Sequence, residues 1–203
     1  MSLIDVRNLS FSYEGSAETV FENVSFQLDT NWRLGLVGRN GRGKTTLLRL
    51  LQGALPCGGQ IHADVEFEYF PYAVEDAEAF TVEGIRAAAP GAEDWQIARE
   101  CSLLDLPEEL LWQTFESLSF GERTKALLAA LFLRDNAFLL IDEPTNHLDA
   151  AGRQKLADYL RRKRGFLMVS HDRAFLDGCI DHVLALDRAQ ITIQRGNFSA
   201  WWQ

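Results

Sequence analysis

"GRNGRGKTT", residues 38 to 46, stands between the apolar run "WRLGLVG" and the leucine-rich "KTTLLRLLQG". The three together read as strand, glycine loop and helix, with Gly53 closing the helix as a glycine past the last turn does. The stretch matches G-x-x-x-x-G-K-[ST], and the strand before it and helix after it are the context that pattern requires. A glycine turn with no ligand satisfies the bare pattern, so the flanking elements carry the reading. The loop comprises Gly38, Arg39, Asn40, Gly41, Arg42, Gly43, Lys44, Thr45 and Thr46. Its glycines let backbone N–H groups close around a β-phosphate, Lys44 reaches β- and γ-phosphates, and the Thr45 hydroxyl can ligate Mg²⁺.

Upstream of the loop, "LIDVRNLSFSY" and "VFENVSFQL" are strand-like segments parted by polar turns, an expected antiparallel β-lobe. From Val74 to Phe115 the texture changes to Ala, Glu and Leu, punctuated by Pro90, Gly91 and Pro107, which predicts several short helices. Downstream the order becomes helix, strand "AFLLI", helix "AAGRQKLADYLRRK", strand "GFLMVS", a short helix from Asp172, and strands "HVLALD" and "QITIQ". Strands alternating with helices imply an α/β core with a mainly parallel sheet.

With 203 residues and 47% hydrophobic content the chain can bury a substantial core. No apolar run approaches the ~20 residues of a membrane span, and "MSLIDVRNLS" lacks the regions of a signal peptide, so a cytoplasmic, membrane-free setting is expected. Cys57, Cys101 and Cys179 are scattered and read as reduced thiols, mostly buried. A formal charge of -9 argues against a broad nucleic-acid-binding face, and the basic "RRKR" at 161–164 reads as the solvated end of a helix.

"FLLIDEPTNHLD" ends a buried strand with Asp142 and Glu143, where open α/β sheets gather functional groups. Because adjacent strand residues point to opposite sides, the two carboxylates are expected to differ in role, Asp142 holding Mg²⁺ and Glu143 orienting or deprotonating an attacking water. "MVSHDRAF" sets His171 beyond another apolar strand, at the same expected edge, where an imidazole can donate to a γ-phosphate oxygen. In "ESLSFGERTK", Ser119 and Glu122 form a capping box ahead of "ALLAALFL", predicting a helix from Ser119 to about Leu133. Taken alone that stretch is an ordinary capped helix, although its N-terminus would also suit an anion.

The motifs "FSY", "GRNGRGKTT", "LSFGE", "LLIDEP", "NHLD" and "SHD", in this order and over essentially the whole chain, resemble the ATP-binding cassette (ABC) ATPases. The resemblance implies a P-loop NTPase fold of ABC type in one domain, residues 1–203, with a helical subdomain at about 74–133 inserted in the α/β core. It implies ATP and Mg²⁺ as cofactors, Tyr13 stacking on adenine, and Glu143 and His171 in catalysis. It also implies that Ser119, Phe120, Gly121 and Glu122 contact the ATP of a partner cassette, with Asn146, His147 and Asp149 in the loop crossing the seam. "EPTNHLD" is similar to the ABC-F group, soluble tandem cassettes acting on the ribosome, and longer stretches resemble the first cassette of its antibiotic-resistance, ribosome-protecting branch. A second cassette, in a longer chain or a homodimer, and the ribosome with its rRNA are the partners this implies. The ATP-binding subunit of a transporter, and a nucleotide-gated module with little turnover, are the alternatives. Two positions depart from the family pattern: Tyr72 stands where glutamine is usual and has no amide oxygen with which to couple Mg²⁺ to the helical lobe, and Phe120 stands where glycine is usual. A first helical position, with negative φ, would accommodate Phe120 without strain.

Overall fold

Alternation of apolar residues builds the first sheet. In the computed structural model, which describes residues 2–16, 18–187 and 190–202, β1 (Leu3–Ser12) turns Ile4, Val6 and Leu9 inward. It pairs antiparallel with β2 (Thr19–Asp29) and with β4 (Gly58–His62), giving the order β2-β1-β4. This is the expected antiparallel lobe, with β4 as a strand its polar sequence did not announce.

The second sheet has six strands in the order β5-β6-β7-β3-β8-β9. Strand β3 (Arg33–Gly38) lies between β7 (Phe166–Val169) and β8 (His182–Asp187), parallel to both, and β6 (Ala137–Asp142) lies parallel between β5 (Glu66–Phe70) and β7. Only β9 (Gln190–Arg195) runs antiparallel, at the β8 edge. The inner strands are continuous apolar runs because both faces are covered. Successive residues divide between two cores: Phe138 and Leu140 of β6 pack with the β-lobe and helix α1 (Lys44–Leu51), whereas Leu139 and Ile141 pack with the helices of the opposite face. Helix α1 buries Leu47, Leu48 and Leu50 almost completely, each contributing about 1.5–3 kcal/mol of hydrophobic stabilisation.

Between β5 and β6 the chain forms the helical lobe: α2 (Thr81–Ala88), α3 (Asp94–Leu103), two 3₁₀ turns, and α4 (Phe120–Phe132). Residues 73–118 of this insertion carry eleven acidic and two basic side chains, leaving eighteen of each in the rest of the chain. Helices α5 (Ala150–Arg161), α6 (Arg173–Cys179) and α7 (Phe198–Trp202) complete the chain. Cys101 and Cys179 are buried and Cys57 half-buried, all three as free thiols.

The basic "RRKR" differs from its expected reading. Arg161, Arg162 and Arg164 are exposed, but Lys163 reaches back to Glu100 on α3, whose side chain is only 1% exposed. Tyr159 Oη donates to the same carboxylate at 2.6 Å, and Arg99 adds a bond at 3.1 Å. Burial alone would raise the Glu100 pKa, but the bonds from Lys163 and Tyr159 outweigh it and hold the carboxyl below its ordinary range. The cluster ties the helical lobe to α5. A depressed folded-state pKa means that the pairing stabilises at neutral pH and that this contribution is lost as pH falls through the folded pKa. Lys163→Ala, which strands a buried carboxylate, is expected to cost about 3 kcal/mol at pH 7. Urea unfolding at pH 7 and in acid should show that difference, and show it narrowing as Glu100 protonates.

Candidate functional site

Parallel β3, β6 and β7 deliver three loops to one edge of the sheet. There a cavity of about 350 Å³ is walled by Asn40, Gly41, Gly43, Lys44, Thr45 and Thr46, by Tyr13 and Val20 of the β-lobe, and by Asp142, Glu143, Val169 and His171. Gly43 caps α1 at φ 92°, and a Cβ there would meet Val20 Cγ1 at 2.6 Å. Both the left-handed backbone and the close approach call for glycine. No side chain caps α1, and its first backbone bond is donated by Leu47 to Gly43, so the N–H groups of Lys44, Thr45 and Thr46 precede the helical ladder. That is an anion-binding arrangement.

Lys44 Nζ donates to the carbonyls of Gly38 at 2.9 Å and Arg39 at 3.3 Å and to Asn40 Oδ1 at 3.4 Å. Burial lowers its pKa, with Glu143 and Asp142 opposing. Gly38, Arg39 and Arg42 do not wall the cavity; the first two serve it through their carbonyls. Tyr13 is half-exposed, set edge-on to Phe11 at 4.8 Å, with its hydroxyl 2.8 Å from Thr46 Oγ1. It offers an aromatic face at the cavity mouth.

Thr45 Oγ1 donates to Asp142 Oδ2 at 3.1 Å. A hydroxyl that gives its proton to a carboxylate keeps both lone pairs for a cation, so Thr45 and Asp142 fit a hard, oxygen-preferring ion such as Mg²⁺. Among the described residues no His, Cys, Asp and Glu group could hold a metal by itself, so phosphate and water oxygens would supply the other ligands. Tyr69 Oη also donates to Asp142 Oδ2, at 2.7 Å, a contact no motif announced. Burial, then the bond to Asp142, push the Tyr69 pKa up to about 12, which keeps it a donor.

Glu143 departs from the expected alternation. It lies one residue past β6 at φ 49°, so both carboxylates wall the same cavity. A left-handed non-glycine residue costs of order 1–3 kcal/mol and persists only where its surroundings hold it. Here the Glu143 N–H donates to Val169 O at 2.9 Å, and its Oε2 accepts the His171 N–H at 3.2 Å. His171 Nε2 lies 3.3 Å from Oε1. That approach is not aligned as a hydrogen bond, and Oε1 is buried with no hydrogen-bond partner among the described residues. Burial raises the Glu143 pKa, with the His171 N–H opposing. A carboxylate at the cavity wall whose pKa is raised by burial is suited to accept a proton.

The other predicted positions form a separate surface. Ser119 caps α4, accepting from the Glu122 N–H at 3.3 Å, while Glu122 Oε2 accepts the Ser119 N–H at 2.8 Å. Phe120 is the first helical residue, outside the positive-φ set, and 64% exposed. Its ring stacks on His147 at 5.0 Å, and a Cβ on Gly121 would meet His147 O at 3.2 Å. Asn146 and His147 are exposed, and Asp149 caps α5 by accepting from Gly152 at 2.7 Å. None of these walls the cavity. Tyr72 packs instead against the apolar cluster of the helical side, where burial pushes its pKa up to about 12.

The sequence profile described as "ABC transporter" matches residues 21–146. Ribosome protection protein VmlR of Bacillus subtilis (strain 168) is 36% identical over 192 residues, 94% of this chain and 32% of that protein. ATP-binding cassette sub-family F member 2 of Mus musculus is 30% identical over 207 residues, 98% of this chain and 33% of that protein. The chain thus spans about a third of the length of these curated relatives. A solved structure titled "Structure of ATP binding subunit of ABC transporter" superposes with a TM-score of 0.79, covering 95% of this chain and 90% of that one at 24% identity, a likeness of fold. With a profile reaching from residue 21 to residue 146, well over half its length, the chain belongs to the ABC transporter family of ATP-binding cassettes, and its sequence resembles members of sub-family F.

Proposed function

We propose that this chain is an ATP-binding and ATP-hydrolysing cassette of an F-type protein acting on the ribosome in the cytoplasm, and that it works by closing on a second cassette when ATP is bound. The observation that carries the hydrolytic part is Glu143, held in a left-handed conformation that turns its carboxylate to the wall of the cavity that holds Lys44 and Thr45. The ribosomal part rests on sequence likeness to a protein named for ribosome protection, and the F-type part on likeness to a sub-family F member. Among the described residues no helix is long and apolar enough to cross a membrane.

In this reading Tyr13 stacks on the adenine, and the N–H groups at the start of α1, with Lys44, bind the β- and γ-phosphates. Thr45 and Asp142 hold Mg²⁺, which when bound neutralises charge on the phosphate oxygens. Glu143 accepts a proton from the attacking water, and His171, 65% exposed beside it, donates to the γ-phosphate. Ser119 and Gly121 stand outside their own cavity, as groups that meet the nucleotide of a partner must. Asn146, His147 and Asp149 border the same surface and would lie along the seam. A nucleotide-gated module with little turnover is the second reading, favoured by Tyr72 turning to the apolar side and offering no amide at the cavity.

Lys44→Ala is expected to nearly abolish ATP binding by calorimetry; unchanged affinity would remove the phosphate-loop assignment. Glu143→Gln keeps the shape but accepts no proton, so ATP binding should persist while single-turnover hydrolysis slows about 10²- to 10⁴-fold. The intact γ-phosphate should then accumulate closed pairs, seen by sedimentation with ATP and absent with ADP. Full turnover in this variant would exclude Glu143 as the base. Equal mass in both nucleotides, at concentrations high enough for pairing, would show that the cassette does not close on itself.

A further inference from the structure

Tyr69 sits on β5 in parallel register with Leu140 of β6, two residues before Asp142. Its side chain is nearly buried among the apolar residues shared by the β-lobe and α1. A phenol in such a place needs a partner for its hydroxyl, and the one it has is Asp142 Oδ2, at 2.7 Å. The Arg49 guanidinium lies 4.3 Å over the ring centroid from α1, the helix that begins with Lys44 and Thr45. The ring is therefore fixed from the strand on one side and from the phosphate-loop helix on the other. Tyr69 and Thr45 both donate to the same oxygen, which uses the lone pairs of Oδ2 and leaves Oδ1 for a cation or one of its waters.

We infer that Tyr69 is a positioning residue for the metal site, holding the Asp142 carboxylate in the one rotation that presents Oδ1 to the metal. The assignment rests on the proposed Mg²⁺-holding role of Asp142. Thr45 gives that oxygen a single bond, and one bond leaves the carboxylate free to rotate about it; a second donor on the same oxygen removes that freedom. Tyr69 contributes a donor with no other duty. Partners of this kind, one bond removed from the metal, typically change metal affinity by 10- to 100-fold when lost.

The test measures ADP affinity by calorimetry, in Mg²⁺ and in excess EDTA, for the wild-type chain, Tyr69→Phe and Arg49→Met. In the wild type Mg²⁺ should strengthen binding. Tyr69→Phe is expected to lose about tenfold of that enhancement while its affinity in EDTA stays within about twofold of wild type. Arg49→Met keeps the hydroxyl and should retain the enhancement. Electron paramagnetic resonance of Mn²⁺ with ADP gives a second readout, a larger free-ion signal in Tyr69→Phe. An unchanged Mg²⁺ enhancement in Tyr69→Phe, or an equal loss in Mg²⁺ and EDTA, would overturn the inference. A wild type with no Mg²⁺ enhancement would instead overturn the metal assignment of Asp142.

Discussion

Parallel pairing of β3 and β6 with the short strand β7 between them is the constraint on which the site depends. Because all three run the same way, their carboxyl ends share an edge, and residues distant in sequence become neighbours there. Ninety-seven positions separate Thr45 from Asp142, yet their side chains meet at 3.1 Å. Slipping β6 by one residue against β7 would exchange its two faces, sending Leu139 and Ile141 toward the β-lobe and Asp142 away from Thr45. The apolar packing on both sides of the sheet thus fixes the register, and the register fixes the chemistry.

Most of this was legible in the sequence where a local rule applied. Strand, glycine loop and helix were readable around residues 33–51 because glycine spacing and leucine periodicity occur within one stretch of chain. The start of α4 at Ser119 was readable because a capping box is a four-residue pattern, and Phe120 fits its position because the first turn asks only for negative φ. Features made by distant residues were not. The Tyr69 bond to Asp142 depends on the β5–β6 register, and Lys163 reaches Glu100 across the interface between α3 and α5. Neither leaves a periodicity or a spacing in the chain. The relation of the two carboxylates was misread because alternation holds only within a strand, and Glu143 has already left it.

The site combines rigid and strained parts. Lys44 and Thr45 stand on a helix anchored by buried leucines, whereas Glu143 is kept in an unfavourable backbone state by bonds to Val169 and His171. Those two partners belong to β7 and the turn after it, so the geometry of the Glu143 carboxylate is set by the strand that lies between β3 and β6. The Phe120–His147 stack plays a corresponding part on the other surface, joining the start of α4 to the loop after Glu143. A shift of that loop would be felt at both.

The uneven distribution of acidic side chains has an electrical consequence. With eleven acids and two arginines between residues 73 and 118, and matched numbers elsewhere, the molecule is a neutral body bearing one strongly negative lobe. Its field decays over about 8 Å at physiological salt, so it acts at close range, on approach rather than at a distance. Beside any polyanion such a body experiences a torque that turns the lobe outward and lets the neutral α/β face lead. Orientation is thereby selected before a single specific contact forms, and raising the salt concentration should blunt that selection without touching the cavity.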